Sequence, residues 1–324
     1  MNIASTLLVA GLVAGAAPAP ALAQASFPNR AMKIVVPFSA GGIVDSVARV
    51  VGDKLSSKYG QPVIVENRVG AGGVIGTEFV ARSPADGYTL LMASPSHAVL
   101  KSLQKNVSWD PLRDFKAVAG IGVVPNVIVV HPSVPAKTMG ELVQLAKQSD
   151  PPLTYATAGI GTSNHLSGEL LAQEAGIRLT HVPYKGQPDA MNDLLAGRVA
   201  MMPLTAAIAM PYVKDGKLRA LAVTLSRRAS AMPQLPTVAE AAQLPNYQVG
   251  TWFGLVAPAR TPDAVRQKLA ADVAEILSMP DVKARFATLG MELSPQSPAD
   301  FDAFVAKESA RWGKVIRHAG IEPN

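Results

Sequence analysis

The sequence predicts an α/β fold, and three observations carry that assignment. Ile34 to Arg49 reads as a strand, a small-residue loop and a helix. Its β-preferring residues end at Pro37, which cannot donate to a central ladder. Gly41-Gly42 frees the backbone for positive φ, and Val44, Val47, Ala48 and Val51 recur at helical spacing from a start near Ile43. The same device returns later, where Leu153 to Thr157 leads through Ala158-Gly159-Ile160-Gly161-Thr162-Ser163-Asn164-His165 into a helix running to Glu174. Finally, 324 residues suffice for two domains and a large core. A helix start after a glycine loop exposes unpaired N–H groups and a partial positive charge, which suits an anion.

Composition narrows the function. The apolar fraction is 48% and there is no cysteine, which excludes disulfides, thiolate nucleophiles, thiolate metal sites and a lipid-modified N-terminal cysteine. The net charge of +6 is scattered, without a basic stripe interleaved with aromatics, so no nucleic-acid partner is expected. A mildly positive field favours small anions.

The elements follow in order. Residues 1–23 have the pattern of a signal peptide: an apolar run from Ile3 to Ala16, too short for a membrane span, then the cleavage pattern Ala21-Leu22-Ala23. The n-region departs from that pattern in carrying no Lys or Arg. The mature protein is expected to begin at Gln24 and to be periplasmic and soluble. Val44 to Tyr59 is a helix stopped by Gly60, and Pro62 to Glu66 is a strand. The glycine run from Gly70 to Gly76 is not a dinucleotide fingerprint: the third glycine would fall where Ile75 stands, and no acidic residue ends a second strand. A turn into a helix near Ile75 to Ala81 fits it better. Tyr88 to Ala93 is a buried strand, with the loop Ser94-Pro95-Ser96-His97 at its C-terminal end, where open α/β sheets place ligands.

By this point the sequence resembles a known family. Pro37-Phe38-Ser39-Ala40-Gly41-Gly42 with Asp45 and Arg49, Val65-Glu66-Asn67-Arg68 with Gly70-Ala71-Gly72-Gly73 and Gly76, and Asp86-Gly87-Tyr88-Thr89-Leu90 stand in the order and spacing of the tripartite tricarboxylate transporter substrate-binding proteins, the Bug family of periplasmic receptors. The likeness continues through Tyr184-Lys185-Gly186, Gly216 to Leu221 and Trp252-Phe253-Gly254. It implies a non-enzymatic, type II periplasmic binding protein of two lobes, each a sheet flanked by helices. One small carboxylate sits in the cleft between lobes, with no cofactor and no metal, and bound waters help to grip it. A monomer is expected, with membrane permease subunits or a sensor as possible partners.

On that pattern, 24–124 and 251–324 form the first lobe and 125–250 the second. Asn126 to Val130 and Gln248 to Val256 are extended crossings. Thr138 to Gln148 is a helix with Thr138 as N-cap and Glu141 at the capping-box position. Leu179 to Pro183, Val199 to Met202 and Leu218 to Thr224 are strands, and Pro188 to Leu195 is a helix. Ser226 to Asn246 is irregular with one short helix. Thr261 to Leu277, Asp281 to Leu289 and Asp300 to Ala319 are helices, with caps at Thr261 and Ser297.

The expected ligand contacts are Phe38, Ala40, Gly41, Gly42 and Ser94 from the first lobe. Ala158, Gly159, Gly161, Thr162, His165, Lys185 and Gly186 are expected from the second. Asp45 sits in a first helical turn, where a carboxylate complements the helix dipole; a contact to a ligand hydroxyl or amine is the other reading. Lys185 either touches the anion or is a solvated charge. Relatives commonly carry two aspartates after the position of Gly197, and this chain has Ala200 and Leu204 there. Either Leu204 lines the cleft and selects a ligand with an apolar portion and no charged amine, or it is packed in the lobe. No G-x-S-x-G elbow or metal spacing supports an enzyme. A receptor that signals rather than transports is equally compatible with these residues.

Overall fold

A computed structural model describes residues 27–229 and 231–318. The expected signal peptide and cleavage site lie outside the described residues. No helix among the described residues is long and apolar enough to cross a membrane.

The chain begins with a parallel βαβ arrangement. Strand β1 (Met32–Val36) pairs with β2 (Val63–Asn67) across the crossover helix α1 (Ile43–Tyr59), which Gly60 ends in the left-handed conformation. A single 3₁₀ turn (Ala71–Gly73) leads into α2 (Val74–Ala81), and β3 (Thr89–Ala93) returns to the other side of β1. Helix α3 (Pro95–Leu103) starts at once, with Pro95 in its first turn, where a missing N–H costs nothing. The expected loop is instead the first turn of this helix; Ser94, Pro95 and Ser96 carry no apolar spacing to mark a helix start.

Strand β4 (Phe115–Val130) is the spine of the molecule. It is 16 residues long, whereas the expected extended run covers only Asn126 to Val130. Then come α4 (Met139–Gln148), β5 (Leu153–Thr157), α5 (Ser163–Ala175), β6 (Leu179–Pro183), α6 (Gln187–Leu195) and β7 (Met201–Thr205). They are followed by α7 (Ala206–Lys214), β8 (Arg219–Val223), α8 (Val238–Ala242) and β9 (Gly250–Pro258). The chain closes with α9 (Asp263–Ser278), α10 (Pro280–Thr288), β10 (Glu292–Gln296) and α11 (Pro298–His318). Helix α7 and strand β10 were not anticipated, since Pro211 and Pro295 interrupt their patterns.

The strand order is β2-β1-β3-β9-β4-β7-β5-β6, with β8 and β10 also paired to β4. From Phe115 to Pro125, β4 pairs antiparallel with β9; from Asn126 to Val130 it pairs with β7 and β8. The change of partner falls at Pro125, which brings no N–H to either ladder. One strand thus joins two half-sheets, and β9 returns the chain to the first.

Two core clusters belong to one half each, and a third, with Val35, Leu91, Ile128, Tyr155 and Met201, includes residues of both. Met32, Ile34, Val47, Val51, Leu55, Leu269, Val273 and Phe286 pack α1, α9 and α10 onto the first half-sheet. Val127, Val129, Ala190, Leu194, Met202 and Leu204 pack beneath the second. Caps follow the sequence in part. Thr138 accepts from the Glu141 N–H, and Ser297 accepts from the Asp300 N–H. Thr261 does not cap α9: its buried hydroxyl has no partner, and the helix begins two residues later after Pro262.

Candidate functional site

Where the two half-sheets meet, the strand-to-helix turns of both face one pocket of about 460 Å³, mouth included. Gly42, Ile43 and Val44 come from the start of α1, and Ser94 and Pro95 from α3. Thr162, Ser163 and Asn164 come from α5, and Gly186, Gln187 and Pro188 from α6. Four helix N-termini therefore converge on it. No side chain caps α1, α3 or α6. On α5, Thr162 takes only the His165 N–H, which leaves the earlier first-turn amides to a ligand. Each terminus contributes a partial positive charge. Phe38 supplies an apolar wall, and Ser39, Ser94, Ser163 and Thr251 supply hydroxyls. Among the described residues, no lysine, arginine, aspartate or glutamate lines the pocket.

The first glycine loop is braced by a charged clamp. Gly41 has φ +78°, whereas Gly42 is extended, so the positive-φ requirement lies on Gly41 alone. The buried Asp45 carboxylate accepts from the Gly41 N–H at 3.0 Å, from Arg49 through both oxygens at 2.9 Å and from Asn67 at 2.9 Å. Burial alone would raise its pKa, but these hydrogen bonds outweigh burial and hold it below the ordinary carboxylate value. Asn67 also donates to the Phe38 carbonyl, tying β2 to the loop.

The second loop has a neutral brace. Gly159 and Gly161 have φ of +126° and +78°. The Gly161 N–H donates to His165 Nδ1 at 3.2 Å, and the Gly159 N–H to Thr157 Oγ1 at 3.2 Å. Behind them, His165 lies 4.4 Å from His181 ring to ring, and Thr157 bonds His181 Nε2 at 2.7 Å. Tyr155 donates to Glu169, whose carboxylate is 3.7 Å from His165 Nε2. Burial, helped by His181, pushes His165 down to about 3, and burial pushes His181 to about 4.

Of the residues singled out from the sequence, Phe38, Gly42, Ser94, Ala158, Thr162 and Gly186 line the pocket. Gly41, Gly159, Gly161 and His165 stand behind the loops and shape them. Ala40 is exposed outside the lining. Asp45 does not reach the pocket, because its oxygens are spent on Gly41, Arg49 and Asn67. Lys185 is exposed at the rim, where its carbonyl accepts from Ser39 at 3.4 Å. Leu204 corrects the cleft reading: it is fully buried in the core beneath the second half-sheet. Strand side chains alternate, and the next residue, Thr205, points to the pocket side, where Gln187 meets it.

Sequence reasoning missed Asn126, Ser163, Asn164, Gln187 and Thr251. Asn126 donates to Ser163 at 3.0 Å, and the Ser163 and Thr251 hydroxyls are 2.5 Å apart, so β4, α5 and β9 are knotted together at the back of the pocket. Polar residues beside the glycine loops were the available signal for Ser163 and Asn164. Thr251 is remote in sequence and gave none.

A pocket between two α/β half-sheets, walled by helix N-termini, belongs to the periplasmic binding proteins, and the comparisons agree. Residues 47–321 match the tripartite tricarboxylate transporter family receptor, and the chain belongs to that family. A Pseudomonas protein encoded between tcbD and tcbE is 37% identical over 100% of this chain and 97% of its own. An R. palustris protein solved with adipate superposes with a TM-score of 0.87 at 36% identity, covering 92% of this chain and 100% of that one. The periplasmic binding protein BugD gives 0.85 at 35%, with the same coverage. MatC from Rhodopseudomonas palustris, with bound malate, gives 0.83 at 32%, covering 90% and 100%.

Proposed function

We propose that this protein is an exported, non-enzymatic receptor that closes two lobes around one small organic carboxylate and hands it to the permease subunits of a tripartite tricarboxylate-type transporter. The lobes are 24–124 with 251–324, and 125–250. The observation that carries the reading is the convergence of four helix N-termini on a pocket that, among the described residues, has no charged side chain. Hydrogen bonds from N–H donors to an ionised carboxylate are stronger than those to neutral acceptors, and a helix N-terminus favours negative charge without a cation's desolvation cost. The adipate and malate bound by relatives support the same ligand class. The lining holds serine hydroxyls but, among the described residues, no titratable group to serve as the general base that would activate them, which argues against hydrolysis.

The test is a thermal-shift screen of small carboxylates on protein refolded free of ligand, run beside a turnover assay on common esters. A cognate acid at about 100 times Kd stabilises by about 2.7 kcal/mol. A flat screen together with ester turnover overturns the reading. Export is tested separately: the intact mass of periplasmic material should correspond to a chain beginning at Gln24, and membrane-bound protein retaining Met1 would contradict it.

A further inference from the structure

One polar atom in the pocket is left over. Gln187 is 6% exposed and lines the pocket, and its Oε1 has no hydrogen-bond partner. Its orientation is fixed by a chain of neighbours. The Pro203 carbonyl can only accept, so the Asn164 amide turns its Nδ2 toward it. Asn164 Oδ1 then faces Gln187 at 3.4 Å and requires a donor, which must be Gln187 Nε2. The same Nε2 donates to Thr205 Oγ1 at 2.7 Å. Turning the Gln187 amide over would set two acceptors against each other, so Oε1 is the atom left without a donor.

Resting on the receptor reading above, we propose that Gln187 is a specificity-determining residue that accepts a hydrogen bond from a hydroxyl group of the ligand, so that the preferred ligands are hydroxy acids. A buried acceptor with no donor costs free energy that a hydroxyl on the ligand recovers. An ionised carboxylate cannot fill the role, because it offers only acceptors. An ammonium could donate, but no carboxylate among the described residues lines the pocket to balance its charge, and an unpaired buried cation is disfavoured. Of the groups a ligand itself can offer, the neutral hydroxyl remains. The helix N-termini hold the carboxylate while Gln187 reads the hydroxyl, which divides binding from selection.

Calorimetry on the mature, ligand-free protein tests this with matched probes: succinate against malate, glutarate against 2-hydroxyglutarate, and benzoate against 4-hydroxybenzoate. In the pairs that bind, the hydroxylated acid should be tighter by about tenfold. Gln187→Met, which keeps the bulk and removes the acceptor, should reduce that preference below about twofold. Equal or tighter binding of the unhydroxylated acid in wild-type protein overturns the inference without any variant. An undiminished preference in a folded Gln187→Met protein also overturns it. Acids that bind without preference remove only the role of Gln187, whereas failure of all six to bind, together with a flat carboxylate screen and ester turnover, removes the receptor reading with it.

Discussion

The two glycine loops that face the pocket have the same backbone design and opposite supports. The loop before α1 is held by an ion pair and an amide: Asp45, paired with Arg49, accepts from the Gly41 amide, and Asn67 donates to Asp45 and to the Phe38 carbonyl. The loop before α5 is held from inside by neutral groups, His165 and Thr157, backed by His181, Tyr155 and Glu169. An anion site needs its amides fixed more than it needs charge, and two kinds of chemistry meet that need. The supports should therefore fail under different insults.

The largest expected effect is on the charged side. Asp45→Ala leaves the Gly41 N–H and the Asn67 amide without their acceptor and frees Arg49. We expect a loss of about 3 kcal/mol in chemical denaturation, since a hydrogen bond to a charged group is worth about 1.5–3 kcal/mol. A change under about 0.5 kcal/mol would show that the clamp does not support the loop. On the neutral side, His165→Leu strands the Gly161 N–H, and carboxylate affinity should fall about tenfold. His165→Asn keeps an acceptor near the Nδ1 position and should recover most of that loss in the same titration.

A third contrast is in pH. A folded histidine whose pKa lies below its unfolded value of about 6.5 stabilises the fold fully above that value, and the contribution erodes as pH falls, because the unfolded chain takes up the proton first. His165, pushed to about 3, and His181, to about 4, should weaken the second loop between pH 6.5 and 4, by roughly 1 kcal/mol per pH unit for each histidine. Asp45 behaves as a lowered acid: its contribution is complete above the unfolded value of about 3.9 and is lost only as pH falls through its still lower folded value. His97, also pushed to about 3 by burial, adds to global acid sensitivity, so the readout must be local. Amide exchange by NMR should show Gly161 losing protection near pH 5 while Gly41 keeps it.

A fourth contrast concerns the line where the halves touch. A Cβ on Gly72 would come within 2.8 Å of the Ile160 carbonyl on the opposite loop, at a φ of +66° that disfavours side chains. Gly72→Ala should hold the halves apart and lower affinity severalfold, with a smaller change in the ligand-free melting temperature. The smallest effect belongs to Lys185→Ala. Its side chain lies at the exposed rim, and affinity should change less than twofold in calorimetry.

The loops were the legible part. Local signals marked them: glycine where φ must be positive, small residues before a helical spacing, and Thr162 at a cap. Strands β5 and β6 and helix α1 followed the sequence closely because their hydrophobic periods are bounded by proline and glycine. The pocket's far wall was not legible. Gln187 and Thr251 are brought there by crossovers of the sheet, and Leu204 and Thr205 exchange roles with a shift of one residue, which flips a strand's faces. Buried polar residues such as Asn126 and Asn164 read as ordinary loop or strand residues until their partners are known.

The central claim is that backbone amides at helix N-termini, and no cation, hold a carboxylate. The direct measurement is calorimetric titration of ligand-free protein with the best-binding acid and with its neutral primary amide, at two salt concentrations. The account requires the acid to bind at least a hundredfold tighter than the amide (about 2.7 kcal/mol), with little loss at higher salt because the site is shielded. An amide that binds as tightly as the acid would contradict it.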